Sequence, residues 1–144
     1  MKNYLSILLI VMLSNIAHSD EFLDLQMKLA REGDSEVSYH LGLMYQWGTG
    51  VPKNLKTAVM WITKAAEQGN SDAQNYLGEM YTHGFGPPKN EIKAYAWFSM
   101  ASANGDELAE GNLKILKTEM TNDQIVKAQK LATKCYDSNY EECD

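Results

Sequence analysis

Histidine, cysteine and cationic side chains are all scarce in this chain, and each shortage removes a class of function. Three histidines and two cysteines occur in 144 residues. Of the histidines, only His40 and His83 lie beyond the N-terminal leader described below. A metal site needs three or four converging ligands, commonly with pairs three or four residues apart on one helix. Neither histidine is read as having such a pair, so no metal or cofactor is expected and both are read as solvent-facing or capping groups. Lysine and arginine number 13 against 19 acidic residues, a net charge of −6 with no basic stripe. That balance disfavours nucleic acid and anionic membrane surfaces as partners.

Long apolar runs are also lacking, with one exception at the start. Lys2 is followed by a nearly unbroken apolar stretch from Tyr4 to Ile16, and Ala17-His18-Ser19 puts small residues where a signal peptidase reads. About 13 apolar residues fall short of the roughly 20 that cross a bilayer as a helix. Residues 1–19 are therefore read as a cleavable export signal, with a retained anchor as the alternative. The mature chain would begin near Asp20, with no membrane attachment, and would be periplasmic or secreted. In such a compartment Cys135 and Cys143 are most simply a disulfide, two free thiols being the alternative. The nine-residue loop it closes is worth roughly 2.5 kcal/mol by loss of chain entropy.

What the chain has in abundance is self-similarity. Gly33, Ser35, Leu41, Gly42, Met44, Tyr45, Gly48, Gly50, Pro52, Lys53, Asn54, Ala58, Trp61 and Ala65 recur 36 residues later, from Gly69 to Ala101. A period of this size marks a stacked array, in which one unit alone cannot bury its apolar face. Each copy reads as two helices. Asp34 and Asn70 cap a helix A that ends near Trp47 and His83, ahead of Gly48-Thr49-Gly50 and Gly84-Phe85-Gly86. Helix B starts near Leu55 or Glu91 and closes at Gly69 or Gly105. Gly42 and Gly78 cost about 1 kcal/mol each inside a helix, so their repetition predicts close helix-to-helix approach, where a β-carbon would clash. Trp61 and Trp97, with Tyr45 and Tyr81, repeat on the grid and are read as core.

The flanks read as partial copies. Residues 22–34 align with helix B, and residues 106–118 align with helix A although Lys114 replaces the glycine and Lys117 the tyrosine. Thr121 to Gln124 forms a capping box before a last helix B. The fold class expected is all-α, an alpha-alpha superhelix of about seven helices. Its domain would run from 20 to 136, with full units at about 33–68 and 69–104 and a disulfide-bearing tail at 137–144.

The string Leu77-Gly78-x-Met80-Tyr81-x-x-Gly84-x-Gly86, then Lys89-Asn90, Ala94-x-x-Trp97, Ala101 and Gly105, resembles the Sel-1-like repeat, a relative of the tetratricopeptide repeat. The resemblance implies a solenoid with right-handed winding that serves as a protein-interaction scaffold, often in exported bacterial proteins. A cysteine-rich subset of such proteins has been credited with beta-lactamase or penicillin-binding activity. This chain has one cysteine pair in place of one per repeat. It also lacks the Ser-x-x-Lys and Lys-Thr-Gly strings that would set a serine beside a base. A structural accessory in envelope assembly or secretion is a further alternative.

Columns that differ between copies are free to specialise, and in arrays of this type the A helices line the inner face. Those columns are His40/Tyr76, Leu43/Glu79, Gln46/Thr82 and Trp47/His83. They are expected to form a groove for a protein or peptide segment, Trp47 serving as an aromatic anchor at a helix end. No catalytic residue is expected, and the chain is expected to be a monomer.

Overall fold

The computed structural model describes residues 20–143, so the expected export signal lies outside the described residues. Among these residues every regular element is a helix. The first, α1, is described from 20 to 32. It is followed by α2 (Ser35–Trp47), α3 (Leu55–Glu67), α4 (Ser71–His83), α5 (Glu91–Ala103), α6 (Glu107–Glu119) and α7 (Asn122–Asp137). The even members α2, α4 and α6 are the A helices, and the odd ones are the B helices.

Local chemistry sets these boundaries. Asp34, Asn54, Asn70, Asn90 and Asp106 each accept the backbone N–H three residues on, satisfying a donor that the first helical turn leaves free. Thr121 closes a reciprocal capping box with Gln124 at the head of α7. At the other end of α2 and α4, Gly48 and Gly84 adopt left-handed backbone (φ 72° and 73°) and donate to the carbonyls of Met44 and Met80. The loop then returns to the same helix. Asn54 N–H donates to Tyr45 O at 2.8 Å, and Asn90 N–H to Tyr81 O at 2.9 Å, which delivers the next helix antiparallel to the first.

Packing follows the same period. Ala30, Leu41 and Trp61 form one buried cluster, joining the B, A and B helices α1, α2 and α3. One shift of 36 later, Ala66, Leu77 and Trp97 sit together in the central cluster with Ile62, Met80 and Met100. Each tryptophan thus joins its own hairpin to the preceding B helix as well as filling the gap between its A and B partners. A third cluster, including Tyr95, Phe98, Leu116 and Ala128, joins α5 to α6 and α7. Helix α5 packs on α4, α6 and α7, and α3 packs on α2 and α4.

Polar groups reinforce the junctions. Ser38 and Gln74 occupy the same column and are fully buried. The Ser38 hydroxyl donates to Asp34 O at 2.8 Å within its own helix and stands 3.4 Å from Ala30 O, which accepts from Lys64 Nζ at 2.8 Å, whereas Gln74 Nε2 donates across the junction to Ala66 O at 3.0 Å. Helix α4 therefore adds a hydrogen bond to a carbonyl in the last turn of the B helix before it, where the helical ladder ends. Cys135 and Cys143 are bonded, with Cα atoms 4.5 Å apart, and both lie in the central cluster. The tail reaches that position by a turn with positive φ at Asn139 and Tyr140.

The two helix glycines that repeat on the grid, Gly42 and Gly78, face the neighbouring helix closely. A β-carbon on Gly42 would lie 2.4 Å from Ile62 Cγ1, and one on Gly78 would lie 2.6 Å from the Phe98 ring. Gly111, off the repeat grid, would meet nothing within 4 Å. Opposite outcomes are expected from the same substitution. Gly78→Ala should destabilise by about 1–2 kcal/mol, overpacking outweighing the gain in helix propensity. Gly111→Ala should stabilise by about 0.5–1 kcal/mol, propensity acting alone. Urea titration of the two variants reads both signs, and equal shifts would refute close packing at Gly78.

Candidate interaction face of the A helices

The residues of the divergent columns project from α2 and α4, two helices that contain no lysine or arginine. Their acidic residues are Glu36, Asp72 and Glu79, and each helix carries one histidine, His40 or His83. Between the two helices Tyr39 and Tyr76 meet edge to face, ring centroids 6.1 Å apart. Burial raises the Tyr39 phenol to about 12, and the carboxylates of Asp72, Glu79 and Glu36 add to the shift. Tyr76 is also raised, again chiefly by burial, with a hydrogen bond from Gln46 acting against it. A neutral phenol pair therefore sits in a negative field.

The structure divides the eight expected residues into two hollows and a middle. His40, Leu43 and Trp47 line a cleft of about 390 Å³ together with Phe22 and Gln26 of α1, Met44 and Thr49. Trp47 is 67% exposed, whereas the repeating tryptophans Trp61 and Trp97 are 6% and 3% exposed. Glu79, Thr82 and His83 line a second hollow of about 420 Å³ between α4 and α6, with Phe98 at its floor. Tyr76 lies between the two hollows, packed against Tyr39. Gln46 is placed differently from its column-mates: it is only 8% exposed, and its Oε1 has no hydrogen-bond partner among the described residues.

Several lining residues escaped the sequence reading. Asn112, Ile115 and Glu119 complete the second hollow, and they lie one further shift of 36 from Tyr76, Glu79 and His83. Asn112 Nδ2 donates to Asn75 Oδ1 at 3.0 Å and to Glu79 Oε1 at 3.3 Å, which orients the carboxylate. Phe22 takes the column of Ala58, on a helix that has no A partner before it among the described residues, and there it is 55% exposed.

His40 departs from the expectation in one respect. It does have a partner four residues away: Nε2 lies 3.2 Å from Glu36 Oε1, and both side chains are exposed. Glu36 also accepts from Asn70 Nδ2 at 3.0 Å, tying α2 to the cap of α4. No group of three potential metal ligands occurs among the described residues. Nor is any described helix long and apolar enough to cross a membrane.

Comparison with known proteins matches the Sel1 repeat family model at residues 35–70 and 71–106. Among solved structures, the chain is similar to c5321 from uropathogenic Escherichia coli, described as a protective antigen displaying an SLR fold. The identity is 34% and the TM-score 0.76, over 83% of this chain and 26% of that one. It is also similar to a Sel1 repeat protein from Oxalobacter formigenes, 39% identical with a TM-score of 0.63, over 65% of this chain and 27% of that one. The chain thus spans about a quarter of the length of these two proteins. No curated protein matches it.

Proposed function

Because the chain belongs to the Sel1 repeat family, we propose that it is an exported scaffold whose A-helix face holds a segment of another protein, with no chemistry of its own. The observation that carries this reading is Trp47. A repeat array buries its tryptophans, and two of the three are buried here. The third stands exposed at the end of α2 in a cleft with Phe22 and Leu43. Large aromatics in such positions contribute disproportionately to binding. Export is supported by the leader sequence and by the Cys135–Cys143 bond, which persists in an oxidising compartment.

Photo-crosslinking from Leu43, Tyr76 and His83 in the native compartment, followed by mass spectrometry, tests the face. Crosslinks to one protein are expected from these positions and not from Lys127 or Lys130 on α7. Trp47→Ala should lower capture at least about tenfold while the helical circular dichroism and melting temperature persist. Crosslinks confined to α7, or capture unchanged by Trp47→Ala, would overturn the assignment.

A further inference from the structure

We infer that the partner segment is basic, with a lysine or arginine seated on Glu79 and large apolar side chains on either side of it. The inference rests on the A-helix face being the binding face, and it adds the chemistry of the occupant. Three observations converge on it.

The first is the distribution of charge between the two kinds of helix. Helices α2 and α4 carry three acidic residues and neither lysine nor arginine, while their B partners α3 and α5 balance Glu67 and Glu91 with Lys56, Lys64 and Lys93. A basic segment approaching the array is therefore attracted to the face formed by α2 and α4.

The second is the state of Glu79. The ion pairs described engage Glu32, Glu36, Glu91, Glu110 and Glu142, and Glu79 is not among them. It is half-buried at the rim of the hollow between α4 and α6, held through Oε1 by Asn112. Lys89 also lines this hollow, but it and the nearby lysines of α6 have other partners. Lys89 lies 3.3 Å from Glu91, Lys114 lies 2.7 Å from Glu110, and Lys117 stands over the Tyr95 ring. The hollow thus presents an oriented carboxylate, with Glu119 beside it, above an apolar floor that includes Phe98. A lysine or arginine, with its charged head and aliphatic stem, matches that combination.

The third is what flanks the carboxylate along its column. On α2 the position of Glu79 is held by Leu43, beside the exposed Trp47, and on α6 by Ile115, which is 65% exposed. Leu108, one helical face with Ile115, is 74% exposed, and Gly111 between them leaves open space. The column therefore reads apolar, acidic, apolar across three successive A helices. An extended peptide crossing those helices meets the three in order.

Fluorescence anisotropy with the full disulfide-bonded chain tests this, using labelled ten-residue peptides with a Leu-x-Arg-x-Leu core and counterparts carrying glutamate for arginine. Spacers of one to four residues cover the step between helices. The arginine peptide should bind at least about tenfold tighter than its glutamate counterpart, with the difference shrinking as salt rises. Glu79→Gln should remove most of that preference, and Glu79→Lys should invert it. Glu119→Lys, at an exposed position, should weaken arginine-peptide binding even if Glu79→Lys fails to fold. Equal binding of both peptides that is lost in Trp47→Ala would keep the groove and overturn the basic occupant. Binding of neither peptide at any spacing also overturns it, while the crosslinking pattern decides the groove independently.

Discussion

Trp97→Ala is expected to cost about 3–5 kcal/mol, the range for deleting a fully packed aromatic side chain. Trp97 is 3% exposed in the largest cluster, where α3, α4 and α5 meet α7 and the tail. Its removal withdraws apolar cover from two hairpins at once, and the surrounding helices cannot close the gap without breaking the repeat spacing. For a domain of this size the loss corresponds to a fall in melting temperature of about 10–20 °C. Trp61→Ala is the internal comparison. Its cluster has three buried members and lies toward the N-terminal end, so the loss should be smaller. Thermal unfolding followed at 222 nm ranks the two. If Trp61→Ala proves the more damaging, the centre of stability has been misplaced.

The second large effect is expected from the cysteine pair. Replacing both Cys135 and Cys143 by alanine, or reducing the bond, should cost about 2.5 kcal/mol through the freedom returned to the unfolded chain. The site of the loss should be local. The tail is held by the bond and by Tyr140, whose hydroxyl accepts from Asn104 Nδ2 at 3.1 Å and whose ring borders Gly69. Asn104 in turn donates to Gln74 Oε1 at 2.9 Å, so a carboxamide buried between units depends on the docked tail. Amide hydrogen exchange should show protection falling first in the last turns of α7 and at Gln74. A reduced protein that keeps its midpoint within about 1 °C would show the bond to be energetically idle.

The helical scaffold was legible because each boundary was written twice. Asp34 and Asn70, Gly48 and Gly84, and the glycines at 42 and 78 announced caps and contacts in register, and the structure places them in those roles. The candidate face was legible only in part, since comparison of two copies reveals two rows of side chains and the hollow beside Glu79 is walled by a third. Asn112, Ile115 and Glu119 lay one more shift away. The third unit has exchanged its glycine and tyrosine for Lys114 and Lys117, which obscured the alignment there. Gln46 shows a different limit. Helical periodicity puts it among the surface columns, but the flank of α2 lies against α4, and the side chain is enclosed beside Tyr76. The return of the tail is set by two left-handed residues, Asn139 and Tyr140, whose types give weak warning of it.

The reach of Gln74 to Ala66 makes the junction between the two full units a coupling, with a plug on one unit and its socket on the unit before. A chain wired in this way can be lengthened by copying one whole 36-residue stretch, since the newcomer brings both halves of the fastening and disturbs no existing one. Growth by duplication then extends the A-helix face by one row of side chains per copy, each open to change without risk to the frame that carries it.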